Sequence, residues 1–378
     1  MIGAAGAPRQ HLRALTGIRF LAALWVLAFH AMPRMALPTP VRQFVEAGYL
    51  GVSLFFVLSG FVLTHVYEAQ VAAPPFRTWT FLRARFARVY PGYSAALILA
   101  IPLFVHDTTL AGAPRGATLA GVCSATLTMT QAWIPGWGCS WNCPGWSLSV
   151  EAFFYLSFPV LAPWVLRQTD RALAVVATGA VVTLALFGAL MAEDTPAVLK
   201  PAADFFQHLP LNSWTPILRL PEFVIGICSA RLLRHRDGRS RLCSWWGPGA
   251  VALIVLVVLE TAAWQGGLAR TAALVVPSAL LIAALADPTR ETWLGSPLFV
   301  RLGNASYSLY LIHAFGFAYY LAIVNRVVDR SWAQGWQSFS IYLVLVVGSS
   351  LIMHDRFEVP ARRLLRGQTG TLDGSPSW

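Results

Sequence analysis

The chain is patterned as long apolar runs separated by short polar segments rich in arginine, proline and glycine. Ten runs stand out, at 17–36, 49–67, 89–106, 148–166, 172–191, 215–233, 248–264, 270–286, 305–324 and 338–356. At about 1.5 Å of rise per residue, each is long enough as a helix to cross about 30 Å of hydrocarbon. The pattern therefore predicts an all-α, polytopic membrane bundle of about ten transmembrane helices. One stretch is ambiguous. Thr118 to Trp133 is threonine-rich and runs into the turn-prone PGWGCSWNCPGW, so it reads either as an eleventh span or as a re-entrant piece buried in protein.

Charge placement separates the two. If the stretch does not cross, both termini are cytoplasmic and about 20 of the 28 basic residues lie on that side, against about 8 outside. The cytoplasmic groups are then Arg9, Arg13 and Arg19; Arg77, Arg83, Arg85 and Arg88; Arg167 and Arg171; the RLLRHRDGRSR loop; Arg290 and Arg301; and Arg356, Arg362, Arg363 and Arg366. If it does cross, the cluster from Arg231 to Arg241 lands outside, against the positive-inside rule. The expectation is thus a multi-pass protein of the bacterial plasma membrane with a non-crossing stretch. The first run has arginines ahead of an apolar core, as in a signal peptide. It is too long, lacks a clear small-x-small site, and carries His30, so cleavage is not expected.

Composition agrees. With 56% hydrophobic and 12% charged residues and a mean hydropathy of +0.58, a soluble fold could not hide this much apolar surface. The net charge of +11 raises nucleic acid as a partner, but the arginines sit beside apolar spans and no nucleic-acid module is present. The partners expected are the lipid bilayer and anionic ligands. Residues 1–367 read as one membrane-embedded domain and 368–378 as a disordered tail, after a short basic surface helix. Five cysteines are scattered. Cys139 and Cys143 fall on the outer side, where they are either bridged over the site or two free thiols. No histidine lies near enough to complete a ligand set with them, and no metal is expected.

Ionisable groups inside apolar runs are expensive and point to chemistry. Arg19 and His30 share the first run, eleven residues apart, which places them on nearly one helix face about 16 Å apart. Taken singly, Arg19 could snorkel to headgroups and His30 could make a packing hydrogen bond. Arg83, Arg85 and Arg88 in FLRARFARVYPGY read either as positive-inside charge or as forked phosphate contacts. Glu151 in PGWSLSVEAFFYLSFP lies a turn inside the outer end of an apolar helix, with Ser147 one turn back and Tyr155 one turn on, so a polar stripe could line a cavity. A single hydrogen bond to another helix is the plainer alternative. Arg219 and Glu222, three apart, can pair as structural glue or shape an acceptor pocket. The ninth run, LGNASYSLYLIHAF, is unusually polar, with Asn304, Ser306, Tyr307, Ser308, Tyr310 and His313. His313 and His65 rank below His30 as catalytic candidates.

Taken in order, LTGIRF with Arg19 and His30, GVSLFFVLSGFVLTHVY, FLRARFARVYPGY, WSLSVEAFFYLSFP, RLPEFVIG and LGNASYSLYLIHAF resemble the acyltransferase-3 family of integral membrane O-acyltransferases. The resemblance implies transfer of an acyl group, acetyl first, from acyl-CoA to a hydroxyl of a sugar, glycan or secreted natural product such as a macrolide. It implies His30 as the essential group, Arg19 as its required partner, Arg83, Arg85 and Arg88 as contacts for the CoA phosphates, and Glu151 as the acidic residue of the family's tryptophan-serine-leucine-x-x-glutamate segment. Trp146, Ser147, Tyr155, Arg219, Glu222, Tyr307 and His313 are the expected acceptor-side contacts. Longer members often carry a fused hydrolase-like domain of the SGNH type, which is not expected here. In the mechanism this suggests, His30, helped by Glu151, takes the acceptor's proton; an acyl-histidine relay is the other route. The competing class is a transporter or flippase for a glycan or small molecule. Against it stand the lack of repeat symmetry and of broken helices in matching halves.

Overall fold

The computed structural model describes residues 12–32, 37–72, 76–110, 115–192, 198, 200, 203, 209–234, 243–260, 267–287, 291–328, 330–333 and 335–366. The described residues form helices and turns and contain no strand. In chain order the helices are α1 (Arg13–Ala31), α2 (Thr39–Glu46), α3 (Gly51–Ala72), α4 (Thr78–Thr109), α5 (Gly116–Leu127), α6 (Gly145–Leu166), α7 (Asp170–Leu190), α8 (Pro216–Arg234), α9 (Cys243–Glu260), α10 (Gly267–Leu285), α11 (Pro297–Val327), α12 (Arg330–Ala333), α13 (Trp336–Met353) and α14 (Val359–Arg366), with a π turn at His354–Glu358 joining the last two. Arg9, most of the RLLRHRDGRSR loop, Arg290 and the 368–378 tail lie outside the described residues.

All ten expected spans coincide with helices, though the boundaries move. The first helix runs 13–31 rather than 17–36, and α4 and α11 reach 32 and 31 residues because amphipathic turns extend their apolar cores. Among the described residues, eight helical segments are long and apolar enough to cross a membrane. Two expected spans fall short of that measure. Pro216–Arg234 carries Arg219, Glu222 and Arg231, and the apolar part of α9 is only Gly247–Glu260. The outward faces are aliphatic: Val175 and Val344 are each 72% exposed, a surface suited to hydrocarbon and not to water.

Two close crossings set the bundle. On α3 and α8, a Cβ on Gly60 would sit 2.1 Å from the Phe223 carbonyl oxygen, and one on Gly226 would sit 2.1 Å from that of Val57. On α1 and α11, a Cβ at Gly303 would come within 1.9 Å of the Thr16 carbonyl oxygen. Small residues at such contacts let backbones approach where lipid supplies no hydrophobic drive. The second crossing runs α1 and α11 side by side in the same direction, which carries His30 to His313. Stacked rings fill the space between α4, α6 and α8, with Phe81 against Phe158 at 5.1 Å and Phe154 against Phe223 at 4.6 Å.

The ambiguous stretch turns back. At 12 residues α5 rises about 18 Å, too little to cross. Its last turn reaches the middle of α4, where Tyr93 Oη donates to the Thr126 carbonyl at 2.8 Å and Tyr90 Oη to that of Leu127 at 3.2 Å. Met129, at φ 57°, makes the reversal. The return strand of chain is pinned by buried Gln131, whose amide donates to the Gly145 carbonyl at 2.9 Å, and by Asn142, which donates to Leu311 at 3.1 Å. Cys139 and Cys143 are bridged within it. Because α6 starts at the level of Tyr93, Glu151 sits deeper than a count from an outer surface implies.

Candidate active site

The polar residues of the spans gather in two neighbouring places. Here the inner end is the one at which α1 begins, and the outer end the one at which it finishes. The first place is a cavity between α1, α3, α4, α6 and α11, lined by Arg19, Ser59, Arg85, Arg88, Ser147, Glu151, Tyr155, Ser306, Tyr307 and Tyr310 with apolar residues of α3 between them. Each helix presents one to three polar positions. Arg85 and Arg88 are three apart on α4, and Glu151 and Tyr155 are four apart on α6.

Within the cavity most of the charged groups are internally partnered. Arg88 forms a buried ion pair with Glu358, whose other oxygen accepts from Ser308 at 3.0 Å and lies 3.1 Å from His354 Nδ1. The π turn at 354–358 is what aims Glu358 inward while Asp355 faces Arg301 on the outside at 3.5 Å. Arg85 is buried, donates to Tyr67 Oη at 3.1 Å and lies over the Tyr67 ring. Glu151 accepts a short hydrogen bond from Tyr155 and one from Ser59 at 3.4 Å. Arg19 makes no hydrogen bond or ion pair with the described residues, and it shares the electrostatic field of Arg88, Glu151 and Glu358.

The second place is a pair of histidines at the outer edge. His30 and His313 meet with Nδ1 of the first 3.2 Å from Nε2 of the second and ring centroids 4.9 Å apart. His30 Nδ1 also lies 2.9 Å from the Val26 carbonyl oxygen, and His313 Nδ1 lies 2.7 Å from that of Tyr310. His313 is buried and His30 is exposed. The two places share a wall. Tyr310 lines the cavity, its hydroxyl is held by Ser147 at 2.7 Å and the Pro144 carbonyl at 3.2 Å, and its ring is 5.7 Å from that of His313.

Several expected site residues are therefore brought together, and others are not. Arg19, Arg85, Arg88, Glu151, Ser147, Tyr155 and Tyr307 share the cavity. His30 and His313 stand across Tyr310 from it. Glu151 is not hydrogen-bonded to His30, so the charge partnership expected between them is replaced by Tyr155 and Ser59 on one side and His313 on the other. Arg19 reaches the cavity and not the imidazole, because the two are separated by three turns of α1. Arg83 is exposed and donates to the Leu365 carbonyl at 3.4 Å, away from Arg88. It borders a second, apolar groove with Trp79, Phe86 and Leu156 that shares Arg85, Leu148 and Tyr155 with the cavity.

Arg219, Glu222 and Trp146 form their own cluster. Arg219 pairs with Glu222 at 2.9 Å, donates to Ser53 at 3.1 Å, and lies over the rings of Phe56 and Trp146. None of the three lines the cavity. Glu358, Tyr310 and Ser59 are among the site residues to which sequence reasoning gave no role, and for Ser59 no signal stood out. Two carboxylates among the arginines of DRFEVPARR, Asp355 and Glu358, were the available signal for the first. The hydroxyl-rich ninth run was the signal for the second.

Comparison with known proteins bears on this geometry. The chain is 31% identical over 379 aligned positions to the acyltransferase MdmB of Streptomyces mycarofaciens, covering 94% of this chain and 92% of that one. It is 26% identical over 173 positions to the peptidoglycan O-acetyltransferase OatA of Listeria monocytogenes, covering 42% of this chain and 26% of that one. No solved structure matches. A family model described as an acyltransferase domain matches residues 12–355, a span that takes in both the cavity and the histidine pair. The chain accordingly belongs to the acyltransferase-3 family, and it is a multi-pass membrane protein of acyltransferase type.

Proposed function

We propose that the protein is an acyl-CoA-dependent O-acyltransferase of the bacterial plasma membrane, and that it moves an acetyl or similarly short acyl group to a hydroxyl of a glycan or secreted small molecule such as a macrolide. The observation that carries the reading is the pairing of a guanidinium-lined cavity with an accessible imidazole two rings away. A polyanionic donor fits the first and a proton-accepting group the second. The named acyltransferase relatives support the reaction class. The positive-inside distribution makes the inner end cytoplasmic, where acyl-CoA is made.

In this reading the donor's phosphates meet Arg85 and Arg19, with Arg83 at the rim. Arg88 is neutralised by Glu358 and serves to hold the wall. This moves Arg19 from partner of His30 to donor contact. The thioester reaches His30 when the Tyr310 side chain swings off Ser147 and Pro144. His30 Nε2 takes the proton of the acceptor hydroxyl, the hydroxyl oxygen bonds to the thioester carbonyl carbon, and the C–S bond breaks. The departing thiolate then takes the proton from the imidazolium and leaves as CoA. The outward position of His30 also favours a relay. In it, Nε2 first accepts the acyl group, the thiolate leaves, and the acceptor then takes the acyl group while its proton goes to the thiolate.

The test is incubation of purified protein with radiolabelled acetyl-CoA, with and without extracts of surface glycans and secreted metabolites. Label transferred to a hydroxyl compound supports the reading, and mass spectrometry of the product names the acceptor. Label retained on the protein without acceptor selects the relay. No CoA release under any condition overturns the reading in favour of a transporter.

A further inference from the structure

We infer that His313 is the positioning residue of the transfer, a neutral acceptor that fixes the tautomer of His30 and stabilises its protonated form. The inference rests on the function proposed above for His30 and adds a residue role to it.

Two backbone contacts fix the hydrogens of the pair. A carbonyl oxygen only accepts, so the His313 Nδ1 that faces the Tyr310 carbonyl at 2.7 Å must carry a hydrogen. A neutral imidazole has one N–H, which leaves His313 Nε2 as a lone-pair acceptor. That lone pair faces His30 Nδ1 at 3.2 Å, and the same Nδ1 faces the Val26 carbonyl at 2.9 Å. Both neighbours of His30 Nδ1 are acceptors, so Nδ1 is the donor and shares its hydrogen between them. The remaining nitrogen, His30 Nε2, is then unprotonated. It has no partner among the described residues, and His30 is exposed while His313 is 1% exposed.

The pair is therefore asymmetric by construction. Had His313 carried the hydrogen on Nε2, that N–H would face the His30 Nδ1–H that the Val26 carbonyl requires, and the bare His313 Nδ1 would set its lone pair against the Tyr310 carbonyl oxygen at 2.7 Å. A proton arriving at the pair can bind only His30 Nε2. When it does, the hydrogen bond from His30 Nδ1 to His313 Nε2 becomes charge-assisted and roughly doubles in strength. In triads a carboxylate does this job. An uncharged acceptor does it here without placing a second ion beside the apolar interior. Further contacts hold the acceptor still. Tyr342 Oη donates to the His313 carbonyl, Tyr310 is anchored through Ser147, and α11 is locked to α1 at Gly303.

The experiment uses the full-length protein in detergent or nanodiscs, with His313→Leu and His313→Gln variants. Leucine removes the acceptor, and glutamine can place its carbonyl oxygen near the position of Nε2. Loss of one hydrogen bond to a charged group lowers kcat by about ten- to a hundredfold, with KM for acetyl-CoA unchanged. His313→Leu should show that loss and His313→Gln should recover to within about threefold of wild type, the recovery being what an acceptor supplies and mere packing does not. Nitrogen-15 NMR of histidine-labelled protein, assigned with His30→Gln, reads the tautomer without any turnover. Wild type should show His30 protonated at Nδ1, and His313→Leu a mixture. Equal loss in both variants, unchanged turnover in His313→Leu, or a wild-type His30 protonated at Nε2 would each overturn the inference. Because the NMR arm needs no acyl transfer, a protein inactive with acyl-CoA but with the stated tautomer would sink the proposed function and leave the tautomer assignment standing.

Discussion

The inner cavity and the outer histidine pair solve the problem of polarity inside a bilayer in opposite ways. At the cavity wall one charge is matched by another, Arg88 by Glu358, with the two side chains 7% and 1% exposed. Such a pair contributes little net stability, but breaking it strands an ion. In the histidine pair no ion is needed at rest, because two neutral rings satisfy each other and two backbone carbonyls. In the proposed function the contrast separates binding from chemistry. A region meant to hold a polyanion must keep permanent cations in place, whereas a region meant to move protons must stay neutral and leave one nitrogen open.

That division can be broken from either side. The largest expected effect is on turnover: His30→Ala should reduce kcat by about a thousandfold, while CoA still stabilises the purified protein against heat as it does the wild type. Loss of CoA stabilisation together with turnover would show that the two regions are one. Next is Arg88→Ala, which strands Glu358 and should cost about 3–5 kcal/mol of stability. The double change of Arg88→Met with Glu358→Leu should restore the melting temperature, and this pairing is checked by thermal denaturation of all three proteins. If Arg88→Ala melts normally, Arg88 is available to ligand instead. Arg85→Ala should raise KM for the donor by about ten- to a hundredfold with kcat little changed, as expected for one charge-assisted contact. The smallest effect belongs to the re-entrant loop: Cys139→Ser should lower stability by about 2 kcal/mol in the loop-closure picture, and steady-state kinetics should keep both donor KM and kcat near wild type.

Much of the fold was legible because lipid imposes a length and a composition on every span. Where the boundaries moved, the reason is that amphipathic turns continue a helix past its apolar core, as at Thr78 on α4 and Pro297 on α11. Charge placement predicted that the ambiguous stretch does not cross, and its helix of 12 residues is too short to do so. The candidate site was legible as a set of costly residues and not as a map. Spacing along α6 put Ser147, Glu151 and Tyr155 on one stripe, and all three line the cavity. It could not say that Arg19 faces Glu151 and Arg88 while His30 faces His313, since those neighbours come from helices far away in sequence.

The sequence by itself determined that this is a helical membrane protein and which ionisable groups lie within its spans, because burying a backbone or a charge in hydrocarbon leaves few choices. Only the tertiary structure decided how those groups pair. The backward turn at Met129, the inward twist at Glu358 and the close approach of α1 to α11 at Gly303 depend on contacts between distant segments. Hydrogen-bond partners are set within a few tenths of an ångström, and no one-dimensional pattern carries that information.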